Sequence, residues 1–139
     1  MKKIERVRTK IENDKDIMKR INKEKHYGVD SLISDINTYI AAVKVGRIRY
    51  SVISVSKSGM SRTIEVTSCE KSPCGQYYYR SYQRMLKALG YKTNDNGTIR
   101  VMSCGMNISF ATNYNLIRTF CRLGFISDTQ FDKLSQAVN

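Results

Sequence analysis

The sequence predicts an α+β fold: a three-stranded, mainly antiparallel sheet packed by helices in the order α-α-β-β-α-β-α-α, with a long N-terminal helical arm. Three observations predict it. Apolar residues recur at three- and four-residue steps near both ends of the chain and between residues 77 and 89. They alternate at two-residue steps over 47–55, 62–68 and 98–103. Glycine or turn residues stand where one period gives way to the next. With 139 residues and 41% hydrophobic composition, the chain is sized for one domain plus an arm, divided as 1–27 and 28–139.

The arm, residues 1–26, carries Ile4, Val7, Ile11, Met18 and Ile21 in a narrow stripe that Asp14 breaks and Ile17 widens. Such a stripe packs on the body, pairs with a second copy to give a homodimer, or orders on a partner. His26-Tyr27-Gly28 marks a break. A second helix then starts from a cap at Asp30 or Ser31 and runs to about Val45. Its buried face is Val29, Leu32, Ile33, Ile36, Ile40 and Val43, and Gly46 stops it.

Ile48, Tyr50 and Val52 alternate with Arg47, Arg49 and Ser51, and a phase slip near Ile53 suggests a bulge. A Gly-containing turn at Ser56–Met60 leads to a second strand from Arg62 to Ser68, which makes a hairpin. Residues 69–75 form a loop around Pro73. A helix follows from Tyr77 to Leu89, with Gly90 as its stop. After the turn at Asn94–Gly97, a third strand spans Thr98–Ser103. The next helix, from about Ile108 to Leu123, turns Phe110, Tyr114, Ile117, Phe120 and Cys121 inward and stops at Gly124. Ser127-Asp128-Thr129-Gln130 matches a capping box for a last helix with Phe131, Leu134 and Val138.

The charge points to a partner. Lys and Arg number 24 against 12 Asp and Glu, a formal net charge of +12. A one-sided field of this size favours a polyanion. Residues 1–46 hold eight Lys and three Arg, whereas 47–139 hold five Lys and eight Arg. Guanidinium grips phosphate with two parallel donors, while lysine acts more as a hydrated point charge. A Lys-rich arm thus suits loose attraction and an Arg-rich body defined contacts. Arg47, Arg49, Arg62 and Arg100 are expected on one open sheet face. Arg80, Arg84 and Lys87 form one helical stripe, and Arg118 and Arg122 another.

Two motifs add to this. In Val55-Ser56-Lys57-Ser58-Gly59-Met60-Ser61-Arg62, Gly59 allows backbone N–H groups to converge as an anion nest, with Lys57, Ser58, Ser61 and Arg62 completing a phosphate contact. An ordinary hairpin turn uses the same residue types. Ser103-Cys104-Gly105-Met106-Asn107 repeats Ser-x-Gly-Met at a strand-to-helix junction, where a helix N-terminus attracts anions. Together, over about residues 48–125, these motifs and the following Phe110 resemble a pattern in small, poorly characterised phage and prophage proteins. That resemblance implies a mobile-element origin and a counter-defence role such as an anti-CRISPR protein. It supplies no catalytic residues.

Enzyme chemistry finds little purchase. A single His leaves no Ser-His-Asp triad or two-His metal site, and Cys69-x4-Cys74 lacks zinc-knuckle spacing. Cys69, Cys74, Cys104 and Cys121 suit free thiols in a reducing compartment. Glu65, Glu70 and Asp95 do not assemble a two-metal site. No metal or cofactor is therefore expected. Tyr77-Tyr78-Tyr79-Arg80 offers base stacking beside a cation, or a core rim. No apolar run of about 18 residues is present, so no membrane partner is expected. The expectation is a non-enzymatic protein of the bacterial host cytoplasm that binds RNA or a ribonucleoprotein. The alternatives are a protein-interaction module or dimeric regulator that binds DNA or a host protein, and a thiol-dependent enzyme.

Overall fold

The computed structural model describes residues 2–46, 48–68, 79–91, 99–102 and 108–137, with side chains placed for 2–46, 54–61, 63, 84–91 and 115–135. Six helices dominate these residues: α1 (Lys3–Glu12), α2 (Lys15–Asn22), α3 (Val29–Lys44), α4 (Tyr79–Ala88), α5 (Ile108–Arg122) and α6 (Asp128–Ala137). The strands β1 (Ile48–Val55), β2 (Ser61–Ser68) and β3 (Ile99–Met102) lie between α3 and α5, with α4 separating β2 from β3.

The expected class is corrected: this is a mostly helical protein, not an α+β domain whose helices cover a three-stranded sheet. The overturning finding is the helix content: six helices hold most of the described residues, and the three strands far fewer. Among the described residues, every buried hydrophobic side chain lies on a helix or in the turn joining α5 to α6. Period-2 patterning identifies a strand but does not say how much of the chain is helical, and here helices supply the described core. The strands pair in the order β1-β2-β3, antiparallel, beside this helical core. The β1–β2 register shifts between Val52 and Ser54, where the alternation slips.

The arm is corrected as well. Asn13-Asp14 splits it into two helices, because Asp14 acts as the N-cap of α2, its carboxylate accepting from the Ile17 N–H at 3.1 Å. Val7 and Ile11 of α1 and Ile17 and Ile21 of α2 are buried in the same core as α3, α4, α5 and α6. Arg8 pairs with Asp30, and Arg122 reaches Asp14 at 3.3 Å. The element order therefore begins α-α-α. The apolar stripe on which the homodimer expectation rested is used within the chain.

Helix α3 starts from Gly28 rather than from Asp30 or Ser31. Asp30 stands in its first turn, where a carboxylate suits the helix dipole and meets Arg8. Tyr39 is fully buried at the centre, edge-on to Phe120 with ring centroids 5.8 Å apart, and Phe120 meets Phe125 at 6.4 Å. Such edge-to-face pairs contribute about 0.5–1.5 kcal/mol beyond burial. Gly46, Gly90 and Gly124 all have positive φ at helix ends. Gly90 (φ +101°) is the most constrained, since a Cβ there would lie 3.1 Å from the Arg20 guanidinium. Ser127 and Gln130 form the expected capping box: Gln130 N–H donates to Ser127 Oγ at 3.2 Å, and Ser127 N–H to Gln130 Oε1 at 2.9 Å.

Candidate nucleic-acid interface

The hairpin between β1 and β2 ties its turn together from inside. Gly59, at φ +74°, donates its N–H to the Ser56 carbonyl at 2.9 Å. Met60 N–H donates to Ser58 Oγ at 3.4 Å and Ser61 N–H to Ser56 Oγ at 3.1 Å, while the Ser56 and Ser58 hydroxyls lie 3.2 Å apart. The expected anion nest is therefore corrected. The backbone donors of Gly59, Met60 and Ser61 already have acceptors within the turn, so they do not converge on an outside anion. Ser61 is buried, whereas Lys57 and Ser58 are exposed.

Strand register separates the sheet arginines. Arg49 stands opposite Thr67 and Arg100 opposite Thr63, and residues 63 and 67 share one face of β2. Arg62, opposite Val55 and Val101, belongs to the other face. The expectation that Arg49, Arg62 and Arg100 share a face is thus corrected for Arg62. Within β2 itself, Arg62 falls in step with Ile64 and Val66 and out of step with Thr63 and Thr67, so two-residue alternation sets it on their face. Arg47, Gly105, Met106 and Asn107 lie outside the described residues, as do Cys69, Cys74, Cys104, Tyr77 and Tyr78.

On the helices, Arg80, Arg84 and Lys87 follow one stripe of α4, and the side chains of Arg84 and Lys87 are exposed. This stripe meets acids of the same chain. Lys87 Nζ lies 2.7 Å from Glu24 Oε1. Arg84 lies close enough to Asp35 and Tyr27 to favour their ionised forms. Arg118 and Arg122 are exposed one turn apart on α5, and Arg122 is held by Asp14. Lys87 and Arg122, expected to contact phosphate, therefore serve first as ties between α4 or α5 and the N-terminal helices.

The α2–α3–α4 corner was not legible in the sequence. Tyr27 donates its hydroxyl to Asp35 Oδ2 at 2.8 Å. Burial raises the Tyr27 phenol above its ordinary pKa, and the Asp35 hydrogen bond and charge add to that. Burial also raises the Asp35 carboxyl, an effect opposed by the Tyr27 hydrogen bond and by Arg84. Arg20 extends across Gly90 towards the Ala88 carbonyl, its Nη1 3.4 Å from that oxygen. Periodicity marks Tyr27 as a helix break and Asp35 as a polar helix position, and nothing in the spacing joins them.

At Cys121, burial raises the thiol pKa, with the Asp128 hydrogen bond at 3.4 Å and the Asp128 charge adding to the effect. A nucleophilic cysteine needs the opposite shift. Among the described residues, no helix is long and apolar enough to cross a membrane.

No protein-family model matches the chain, and searches of curated proteins and of solved structures find no match.

Proposed function

We propose that this protein binds nucleic acid, RNA first, or a host protein–RNA complex, and acts without catalysis as an inhibitor of host defence such as CRISPR. The observation that carries this reading is a twofold cation surplus, with exposed cations left outside the ion pairs that tie the helices together. The chain has 24 Lys and Arg against 12 Asp and Glu. Asp14, Glu24 and Asp30 are engaged by Arg122, Lys87 and Arg8. Exposed cations such as Lys15, Lys19, Lys57 and Arg118 make no ion pair with a described acid. A phosphate backbone answers such a surface through counterion release. The two glycine–methionine motifs, with their resemblance to phage proteins, support the host-defence part and a site of action in the bacterial cytoplasm.

A filter-binding salt titration tests it. The expected result is retention of RNA at low salt and a linear fall of log K with log[salt]. No retention, or a flat line, overturns it.

One observation favours a second reading, that of a protein-interaction module. The hairpin presents two exposed apolar side chains, Val55 (54% exposed) and Met60 (51%). On that reading a host protein is captured after nuclease treatment, and the capture survives Arg62→Ala but is lost with Met60→Ser.

A further inference from the structure

We infer that the outer face of α2 is the main track for the phosphate backbone, with Lys15, Lys19 and Lys23 as its contacts and single-stranded RNA as its occupant. This rests on the nucleic-acid reading above and assigns it a surface. Ile17 and Ile21 fix the orientation of α2, because both are buried in the core. Lys15, Lys19 and Lys23 stand four residues apart on the opposite side and are all exposed. Successive ammonium groups are thus set about 6 Å apart along the axis, one per turn.

What distinguishes this face from ordinary solvated charge is the fate of the neighbouring acids. Asp14 caps α2 and holds Arg122. Glu24 holds Lys87. Both acids that flank the helix are turned to cations brought in by α4 and α5, so they dock α2 while leaving Lys15, Lys19 and Lys23 outside these ion pairs. Asp16, the one acid within α2, is exposed at the edge of this stripe and makes no ion pair among the described residues, so three lysines face one carboxylate. Arg118, one turn back from Arg122 on α5, is exposed as well and extends the positive surface past the Asp14 junction. Flexible ammonium groups on a rigid, docked helix suit sequence-independent contact with a backbone, and the helix pays no folding entropy on binding. The lysines that the sequence suggested were a loose tether are a preformed surface.

The test uses the full chain and a fluorescein-labelled oligouridylate read by anisotropy across a salt series. In the triple variant Lys15→Gln, Lys19→Gln, Lys23→Gln, each exposed lysine becomes a residue of similar helix propensity. Losing three backbone contacts lowers the salt slope by about 2 and weakens binding about 100-fold near 0.1 M salt. The single variant Lys19→Gln loses about fivefold, which keeps the inference testable if the triple variant does not fold. The control removes the same charge elsewhere, with Lys3→Gln, Lys44→Gln and Lys133→Gln, all exposed. It is expected to stay within about threefold, as only the diffuse field changes. If the control loses as much as the α2 variant, the track is overturned and the nucleic-acid reading stands. If the unaltered protein binds no oligouridylate at low salt, both fall.

Discussion

Two residues show how single backbone positions carry the helix ends. Gly90 takes φ +101° with the Arg20 guanidinium 3.1 Å from where a Cβ would stand. His26 takes φ +58° just beyond α2, a conformation that costs a side-chain-bearing residue energy. Gly90→Ala is therefore expected to lower stability by about 1–3 kcal/mol in urea denaturation. His26→Gly is expected to change it little or raise it by up to about 1 kcal/mol, since relief of strain is offset by added unfolded-state entropy. Gly90 was legible as a stop from its place after an apolar-periodic segment. Its contact with Arg20 was not, because the two are 70 positions apart and only docking of α2 on α4 brings them together.

At the scale of the element, the N-terminal helices decide between a tether and a structural part. Ile11 is fully buried, while Ile4, on the same helix, is 44% exposed. If α1 belongs to the core, Ile11→Ala costs about 2–5 kcal/mol and Ile4→Ala well under 1 kcal/mol in the same denaturation experiment. A loose arm would give small and similar values for both. The sequence showed the stripe of Val7, Ile11 and Ile21 and even its interruption at Asp14. It left open where the stripe packs, because a helix with one apolar side serves a body, a second copy or a partner equally well. The capping box at Ser127–Gln130 and the bulge near Ile53 were legible, since both arise within a few residues. The turn at Gly59 forms no open nest for an equally local reason: Ser56 and Ser58 accept from the Ser61 and Met60 N–H groups.

For the whole molecule, ionisation couples to stability most directly on the alkaline side. Tyr27 and Tyr91 hold their phenol protons more tightly when folded, Tyr91 being pushed up to about 12 by burial. In the unfolded chain both release them near the ordinary tyrosine pKa of about 10. The folded state then binds more protons, so stability is complete below about pH 10 and falls as the pH rises beyond it. Urea titrations at a series of pH values above 9 are expected to show a shallower fall for Tyr27→Phe than for the unaltered protein. Equal slopes would mean that Tyr27 ionises alike in both states. Asp35 has the same sign on the acid side. Its raised carboxyl pKa makes the fold lose stability as pH rises from the ordinary carboxylate range to the higher folded value.

The amino-acid sequence by itself determined the surplus of positive charge, most helix limits and the turn chemistry, because these depend on composition and on neighbours within about one turn. Only the tertiary structure decided that helices supply the described core, that residues 2–26 belong to it, and which cations are spent on it. Lys87 and Arg122 look like any other exposed base in the chain. Their pairing with Glu24 and Asp14 exists because α4 and α5 pack beside α2, and that packing follows from burial of side chains far apart in sequence.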